Sequence, residues 1–461
     1  MEKERKVISI FANGSRGDIQ PYIALAIELQ KKYNVRFLTS RGYKSFVQEY
    51  GIHYVNVYDL DIEYIMHHDE NSRDCMAKGD VNLFFKQLSR WHQECAEDHV
   101  KRMLYELDNH KPDFFIAGST GEYWYHYVKK VYDIPCVEVL LNILGLNKDH
   151  MLFGIKLDPN EDQLTRLLDI ASNSYVSFEH FDREMNKLNR AALVPVLSKE
   201  EYVSLQRRRI LGSPQDVTLV CQSKLFRDIL FPIANENIIY TGPCTLDASQ
   251  QQSRTSFGDN YNKVEEFLRE DISKEVVYCG FGSMISKSPD YMTEFIVKAL
   301  FLSNKRGIVL GGNANLSMEA LMKGTSDKIL IAYARDNILF VDKISHEAIF
   351  PRVVCTIHHG GIGTLFASLR SACPSIITPV FLDQFDNAHV VNELKVGIGF
   401  AKQLQQFASK EVAEAIISIS SNTSIHSRCR EVAEVIRKEK GQSKIKAELE
   451  KLTSISANLK T

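Results

Sequence analysis

Short apolar runs alternate with longer segments of helical spacing along the first half of the chain. Apolar runs of this length are typical of buried strands, and the segments between them are typical of helices. The predicted strands are 7–11, 35–39, 54–57, 114–117, 137–141 and 217–220. The predicted helices are 21–32, 45–50, 82–108 and 121–132. This alternation predicts βαβ units and a parallel sheet.

The same rhythm returns in the second half, after a small, polar stretch at 245–262 that is typical of a linker. The predicted strands of the second half are 276–279, 307–310, 329–332, 353–357 and 375–378. A chain of 461 residues exceeds what one compact core usually supports. We therefore predict two α/β domains, residues 1–246 and 247–461. Residues 146–212 are polar and have helical spacing, and we predict that they form an insertion in the first domain.

A glycine-rich turn, His358-His359-Gly360-Gly361-Ile362-Gly363-Thr364, follows the predicted strand 353–357 and precedes a predicted helix. Strand, glycine-rich turn and helix together place backbone N–H groups and a positive helix end against a phosphate. Many such turns hold no ligand. Here the His359 ring and the Thr364 hydroxyl add donors to the N–H groups of Gly361 and Gly363, which favours a diphosphate site.

An acid–amide pair, Asp383-Gln384, follows the predicted strand 375–378. Side chains at the carboxyl end of a strand lie where open α/β sheets bind ligands. Asp383 accepts hydrogen bonds and Gln384 both donates and accepts, which suits sugar hydroxyls. Taken alone, the pair is more typical of a solvated loop; one βα unit after the His-Gly turn, it predicts a sugar clamp.

The run from His358 to Asn387 resembles the nucleotide-sugar motif of UDP-dependent glycosyltransferases of the GT-B fold. It is similar to the branch of sterol glucosyltransferases and bacterial glycopeptide and macrolide glycosyltransferases, which carries the same turn and Asp-Gln pair. Three further segments are similar to that branch and occur in its order: Gly14-Ser15-Arg16-Gly17-Asp18-Ile19-Gln20-Pro21, Gly280-Phe281-Gly282-Ser283-Met284 and His346-Glu347-Ala348-Ile349-Phe350-Pro351.

The resemblance implies a GT-B fold, in which two Rossmann-like domains face each other across a cleft. It implies that the charged helical segment 428–452 crosses back to the first domain. It also implies a UDP-sugar donor, most often UDP-glucose, and a hydroxyl acceptor. Ser283 would join the diphosphate site. Because Lys343 stands where plant relatives carry a Trp, the nucleoside would be held near Ile344 and His346.

Asp18 is the candidate catalytic base, because the resembled branch assigns this role to the Asp of its N-terminal loop. The base takes the acceptor's hydroxyl proton. The alternative is that Asp18 caps the helix predicted near Pro21. The strand 114–117 is followed by Gly118-Ser119, without the acid that orients a His base in plant relatives, which favours a lone carboxylate. For Arg16 we prefer a structural role to a place at the diphosphate.

Composition narrows the functional class. The net charge of −2 gives no field that would favour nucleic acid. The nine scattered cysteines do not suggest a disulfide framework or structural zinc. The start of the chain shows no signal-peptide pattern, and no apolar run reaches the length of a membrane span, so we expect a cytoplasmic enzyme.

The resemblance implies that no metal or other cofactor is needed. The alternative, a metal-dependent enzyme, is suggested by Asp59-Leu60-Asp61. In a different class of glycosyltransferases, an Asp-x-Asp sequence of this kind holds a divalent cation. Here it lies far in sequence from the predicted phosphate motifs. The basic run 206–209 is a candidate for peripheral membrane contact or for a solvated face.

The acceptor is expected to be a lipophilic hydroxyl compound such as a sterol or terpenoid. Aromatic residues in the first domain are compatible with that, and equally with core packing: Trp91, Tyr123, Trp124, Tyr125 and Phe153. Two alternatives to a transferase stay open, namely a non-catalytic relative that binds a partner enzyme and a sugar-nucleotide epimerase of similar fold. Retention of the motif residues argues against the first, and the Gly-Ser-Arg-Gly-Asp loop against the second.

Overall fold

The structure, a computed structural model, describes residues 5–59, 69–143, 151–152, 155–156, 163–190, 195–230, 236–251, 254–258, 260–271 and 273–459. The strands of its first half are β1 (Val7–Phe11), β2 (Asn34–Ser40), β3 (His53–Tyr58), β4 (Phe114–Ala117), β5 (Cys136–Leu140), β6 (Met151–Leu152), β7 (Ile155–Lys156), β8 (Thr218–Val220) and β9 (Ile238–Tyr240). Seven of them form one parallel sheet, and β6 and β7 form a separate antiparallel pair.

Helices connect these strands and cover both faces of the sheet. They are α1 (Arg16–Gln30), α2 (Lys44–Gln48), α3 (Glu70–Lys78), α4 (Val81–Asn109), α5 (Glu122–Tyr132), α6 (Gln163–Ser174), α7 (Val176–Lys187), α8 (Lys199–Ile210), α9 (Lys224–Leu230) and α10 (Ala248–Gln251). The predicted insertion therefore contains α6, α7 and α8, and α7 packs against the long helix α4.

The second half repeats this plan with six parallel strands: β10 (Val276–Gly280), β11 (Arg306–Leu310), β12 (Ile338–Val341), β13 (Cys355–His358), β14 (Ser375–Ile377) and β15 (Gly397–Gly399). Its helices are α11 (Tyr261–Glu270), α12 (Pro289–Leu302), α13 (Met318–Gly324), α14 (Lys328–Asn337), α15 (His346–Ile349), α16 (Ile362–Arg370), α17 (Gln384–Leu394), α18 (Ser409–Ser421), α19 (Thr423–Lys438) and α20 (Gly441–Leu459).

Strand order reverses once in each sheet, and this places the ligand crevices. The first sheet has the order β3-β2-β1-β4-β5-β8-β9 and the second has the order β12-β11-β10-β13-β14-β15. In open parallel sheets, ligands bind beyond the carboxyl ends of the strands at this reversal. The crevices therefore lie beyond β1 and β4 in the first domain and beyond β10 and β13 in the second. The architecture confirms the predicted pair of Rossmann-like domains.

The C-terminal helix α20 returns to the first domain, as predicted. Ile445 and Leu449 are buried in the same apolar cluster as strand β1. At the edge of this contact, Lys446 Nζ lies 3.4 Å from Glu28 Oε1 on α1, and Lys444 Nζ donates to the Tyr240 carbonyl at 2.7 Å. The apolar stripe fixes the helix on the first domain, and the charged residues flank it.

The stretch predicted as a linker is a packed connection. Leu246 and Phe257 are buried in the apolar core of the first domain. Gln251 Nε2 donates to the Leu246 carbonyl at 2.7 Å, and the Ser345 hydroxyl donates to Gln251 Oε1 at 2.5 Å. The connection therefore touches both domains, and the boundary between residues 246 and 247 stays a prediction.

The predicted strand 329–332 is wrong, because these residues lie in helix α14. Asp327 caps this helix, since its Oδ1 accepts from the backbone N–H groups of Ile329 and Leu330 at 2.9 and 3.2 Å. Leu330 is buried whereas Ile329 is 70% exposed, which is the one-sided burial of a surface helix. A short apolar run is compatible with either element, and here the cap decides. The strand of this part of the chain is β12, which begins directly after α14.

Helix α1 begins at Arg16, five positions earlier than the predicted start at Pro21. Proline is compatible with an early helical turn, so Pro21 did not mark the beginning. The strands β9, β12 and β15 were not predicted. β9 and β15 have three residues each, and two of the three in β15 are glycines, so neither gives a clear apolar run.

The basic run 206–209 is partly structural rather than wholly solvated. Arg209 is half-buried between two carboxylates, with Nη1 3.1 Å from Glu122 and Nη2 2.5 Å from Glu138. Only Arg207 and Arg208 are exposed. Among the described helices, none is both long and apolar enough to span a membrane.

Candidate active site

The predicted site residues lie at the carboxyl ends of neighbouring strands. Gly280 pairs with His358 in the register of β10 and β13, so Ser283 and His359 follow adjacent strand ends. A Cβ atom on Gly282 would lie 3.2 Å from His359 Cε1, which shows how closely the two turns approach. The structure therefore brings together two segments that are 76 positions apart, counted from Ser283 to His359.

The His-Gly turn forms an anion-binding geometry. Gly361 is the N-terminal cap of α16, so the free N–H groups and the positive dipole end of this helix point toward the turn. A Cβ on Gly361 would come within 2.3 Å of His359 Nε2, whereas Gly363 is exposed with open space around it. Ser283 follows the end of β10, and Thr364 lies in the first turn of α16, so both hydroxyls belong to these two turns. These donors suit a diphosphate.

His358 and His359 have different environments. Burial lowers the pKa of His359 to about 4, with the Gly280 backbone opposing the shift, so its ring is neutral near pH 7. His358 is fully buried, and its Nδ1 accepts from the Gly360 N–H at 3.1 Å. This supports the interpretation of His358 as a packing residue. Gly360 has φ +100°, and a Cβ there would lie 2.7 Å from Ile377, so the turn requires glycine.

Asp383 lies at the N-terminal end of α17, in a loop with a strained backbone. The preceding Leu382 has φ +53°, which is costly for a residue with a Cβ, and such strain persists only where the surroundings enforce it. Gln384 Oε1 accepts from the backbone N–H groups of Val380 and Phe381 at 2.8 and 2.9 Å. The Gln384 oxygen thus holds the loop, and only its amide nitrogen is left for a sugar.

Asp383 and Asp18 interact electrostatically across the cleft. Burial and, after it, the negative charge of Asp18 raise the pKa of Asp383 to about 6. Hydrogen bonds from Asn387 and from Asn142, which follows β5 in the first domain, oppose the shift. The first-domain acid and the second-domain acid therefore belong to one site.

Asp18 occupies the third position of α1, where it also holds the helix start. Its Oδ2 accepts from the backbone N–H of Ser15 at 2.7 Å and from the Ser15 hydroxyl at 2.9 Å. Gly14 has φ +142°, and a Cβ there would come within 2.5 Å of Asp18 Oδ2. Burial raises the pKa of the carboxyl despite these bonds. Asp18 therefore holds the helix start in a fixed orientation, and its role as the base stays a prediction.

Comparisons with known proteins agree with this geometry. Residues 8–104 match the family model of the glycosyltransferase family 28 N-terminal domain. Residues 307–452 match the family model of the C-terminal domain of proteins that are similar to erythromycin biosynthesis protein CIII. The fold resembles that of the kitacinnamycin glycotransferase over 98% of this chain and 100% of that one, with a TM-score of 0.68 and 15% identity. The chain has the GT-B fold, and part of its first domain matches a glycosyltransferase family model.

Sequence relatives come from one branch of these enzymes. A sterol 3-beta-glucosyltransferase of Cryptococcus neoformans is 36% identical over 94% of this chain, and one of Kluyveromyces lactis is 26% identical over 93%. The chain spans 26% and 33% of the lengths of these two relatives. A further GT-B structure, glycosyltransferase VinC in complex with dTDP, has a TM-score of 0.59, 15% identity and coverage of 97% and 99% of the two chains.

Arg16 has a structural role, as preferred from the sequence. Its Nη1 donates to the Ser256 carbonyl at 2.6 Å. The guanidinium also lies over the rings of Phe46 and Phe257, 4.8 and 4.5 Å from their centroids. Arg16 therefore ties the base-bearing loop to the connection between the domains.

Of the predicted nucleoside residues, Ile344 lies between β12 and α15, and His346 is the first residue of α15. Ile344 is buried, and His346 Nε2 lies 2.7 Å from the Tyr278 hydroxyl while its ring stacks on Phe350 at 4.7 Å. Burial lowers the pKa of His346 to about 3. These contacts give His346 a packing role, and nucleoside binding by this segment stays a prediction.

The aromatic residues considered for the acceptor are core residues. Trp91, Tyr123, Trp124 and Tyr125 are buried, and Phe153 lies outside the described residues. The Trp124 ring N–H donates to His99 Nε2 at 2.7 Å, and the Tyr123 hydroxyl donates to Asp182 at 2.8 Å. Core packing, the alternative that the sequence left open, is the better account of these four.

The Asp-x-Asp alternative finds no support in the described residues. Asp59 pairs with Arg102 and accepts from Asn56 at 2.9 Å, and Asp61 lies outside the described residues. Over the described ranges, no group of three or more His, Cys, Asp or Glu side chains is arranged to hold a metal ion.

Asn142, Leu382 and Asn387 were not singled out from the sequence. Asn387 was detectable in principle, because it lies four positions after Asp383 and residues at that spacing share one face of a helix. Asn142 was not, because its contact with Asp383 joins the two domains.

Replacing Asp383 with alanine is expected to weaken UDP-glucose binding by about 10–150-fold and to leave UDP binding nearly unchanged. The range corresponds to one hydrogen bond to a charged group. Only the sugar meets this carboxylate, whereas both ligands present the diphosphate. Calorimetric titration of each ligand measures the difference, with Asp386→Ala in the same loop as the control. Equal losses for UDP and UDP-glucose would show that the clamp is misassigned.

Proposed function

We propose that this chain is an inverting glycosyltransferase that moves glucose from UDP-glucose to the hydroxyl of a sterol or a similar lipophilic compound. The observation that carries this proposal is the arrangement of Asp18 and Asp383. The two carboxylates come from different domains, and the negative charge of Asp18 raises the pKa of Asp383. The His-Gly turn adjoins them, since Gly360 and Asp383 contact the same Asn387 side chain. The names of the sequence relatives support the sterol as acceptor.

Asp18 acts as the general base in the proposed reaction. It takes the proton of the acceptor hydroxyl, and the oxygen attacks the anomeric carbon of the donor. A pKa raised by burial brings the carboxyl closer to the working pH, which makes it a more effective base. Its bonds to Ser15 involve Oδ2 and fix the direction of the carboxylate.

The second domain stabilises the leaving group. As the bond between the anomeric carbon and the phosphate oxygen breaks, its electron pair stays on the UDP. Ser283, His359 and Thr364 would donate hydrogen bonds to the two phosphates, together with the N–H groups that begin α16. Fixed donors in a water-poor site stabilise developing charge more strongly than water does. Asp383 would hold the sugar hydroxyls while this occurs.

An acceptor screen tests the proposed function most simply. The protein is incubated with UDP-glucose and, separately, with a sterol, a terpenoid alcohol, a flavonoid or no acceptor. We expect a mass increase of one hexose on the sterol. Conversion of UDP-glucose to an isomeric UDP-hexose without transfer would indicate an epimerase. Unchanged donor in every mixture would indicate a protein without catalytic activity.

The reaction is expected to invert the anomeric centre and to persist in excess EDTA. Inversion follows because Asp18 activates the acceptor on the face opposite the departing UDP, so an α-linked donor gives a β-glycoside. Persistence follows because the donors around the diphosphate supply the positive potential. The anomeric coupling constant by NMR and the rate in EDTA measure the two outcomes. An α-glycoside, or activity abolished by EDTA and restored by Mg²⁺, would contradict this mechanism.

A further inference from the structure

Asn387 is a buried amide that lies between the two halves of the donor site. It is 2% exposed and sits in the first turn of α17. Its backbone N–H donates to the Asp383 carbonyl at 2.9 Å, so it is one helical turn beyond the sugar clamp. The position gives the side chain no direct access to solvent, and its polar atoms must find partners within the protein.

The amide nitrogen of Asn387 faces one acceptor on each side. Nδ2 donates to the Gly360 carbonyl at 2.8 Å and lies 3.3 Å from Asp383 Oδ2. An amide group has two N–H bonds, so one nitrogen can serve both acceptors at once. Gly360 belongs to the diphosphate turn and Asp383 to the sugar clamp. One side chain therefore joins two segments that the sequence separates by more than 20 residues.

We propose that Asn387 is a positioning residue that couples the diphosphate turn to the sugar clamp, so that the sugar and the leaving group are held in one fixed relation. This proposal rests on the proposed function. Asn387 does not touch the reacting atoms. It acts through Asp383, whose direction it sets.

Asp383 needs such support. Its backbone follows a strained residue, Leu382, and such strain persists only where the surroundings enforce it. Burial and the charge of Asp18 both favour the protonated carboxyl, whereas the Asn387 and Asn142 amides favour the carboxylate. An ionised carboxylate accepts sugar hydroxyls on all its lone pairs. Loss of the Asn387 donor would therefore leave Asp383 both less well oriented and more often protonated.

The test replaces Asn387 with leucine, which keeps the size of the side chain and removes both donors. The matched control is Asn392→Leu on the same helix, where Nδ2 donates to the Gly399 carbonyl at 2.8 Å and Oδ1 accepts from the Gly399 N–H at 2.8 Å. Both variants lose hydrogen bonds from α17, but only one faces the donor site. If Asn387→Leu does not fold, the smaller Asn387→Ser takes its place.

Calorimetric titration with UDP and with UDP-glucose provides the first readout. We expect Asn387→Leu to weaken UDP-glucose roughly 10-fold, about one hydrogen bond to a charged group, with a much smaller effect on UDP. In an Asp383→Ala background the same change should cause no further loss for UDP-glucose, because Asn387 acts through that carboxylate. Equal losses for both ligands, or additive losses in the double variant, would overturn the proposal.

The pH dependence of UDP-glucose binding provides the second readout, which a merely structural role would not move. The Asn387 contact lowers the pKa of Asp383. Removing the Asn387 donor should therefore raise this pKa. The acid limb of the binding curve, where affinity for UDP-glucose falls as the pH falls, should then shift to higher pH. Asp18 is the titratable group that faces Asp383, and the Asn142 and Asn387 amides donate to Asp383. All three residues are unchanged in the Asn392→Leu control. An unshifted acid limb in Asn387→Leu would overturn the proposal. A wild-type chain that binds UDP-glucose without transferring it would contradict the proposed function alone.

Discussion

Turnover of the Asp18→Asn variant is expected to fall by about 10²–10⁴-fold, the usual contribution of a general base. Asparagine has nearly the same shape, and its side-chain oxygen can still accept from the Ser15 N–H. The helix cap is therefore kept while the proton acceptor is lost. Steady-state rates with a sterol acceptor, together with a thermal melt, separate the two roles. Near wild-type turnover would show that Asp18 serves only as a cap.

The same variant makes a second, independent prediction about donor binding. The charge of Asp18 raises the pKa of Asp383, so its removal should lower that pKa. Ionised Asp383 then persists to lower pH, and the acid limb of UDP-glucose binding should move downward. Titrations between about pH 3.5 and about pH 8, the range that brackets an ordinary Asp pKa and the raised one, measure this shift. If the acid limb of UDP-glucose binding did not move, this would contradict the placement of the two carboxylates opposite each other.

Replacing His359 with alanine is expected to weaken UDP and UDP-glucose alike, by about 10–150-fold each. Both ligands present the same diphosphate, and one hydrogen bond to a charged group is worth about 1.5–3 kcal/mol. The ring is neutral in the free protein, because burial lowers its pKa to about 4, so it contributes a directed N–H rather than a full charge.

Titration of both ligands into the His359→Ala variant checks this, and Asp383→Ala provides the contrast, because there only UDP-glucose should lose affinity. The two variants together divide the donor site into a phosphate part and a sugar part. A His359→Ala variant that loses UDP-glucose but keeps UDP would place the ring at the sugar rather than at the diphosphate.

The sequence predicted the parts of the site that depend on local order. A glycine-rich turn after an apolar strand and an acid at the end of the next strand are local patterns. Parallel strands gather such ends at one edge of a sheet. For this reason His359 and Asp383 could be placed together before any coordinates were known. The crossing of α20 was predicted from the resemblance, and the burial of Ile445 confirms it.

The remaining features depend on contacts between distant segments. The strand predicted at 329–332 is a helix because Asp327 caps it, and a short apolar run does not distinguish the two. The sequence left Tyr123 and Trp124 equally compatible with acceptor contact and with core packing, and their partners on other helices show that they are core residues. The contact of Asn142 with Asp383 requires both domains. The spacing of apolar residues along the chain carries no information about contacts between residues that are distant in sequence.

The most direct test of the account measures UDP release and glycoside formation in one reaction. Purified protein is mixed with UDP-glucose and a 3-hydroxysterol in detergent micelles, with Asp18→Asn and a mixture lacking sterol in parallel. The account predicts equal amounts of UDP and sterol β-glucoside from the wild-type chain, and almost none in either comparison. UDP release without glycoside, or equal glycoside formation by the Asp18→Asn variant, would contradict it.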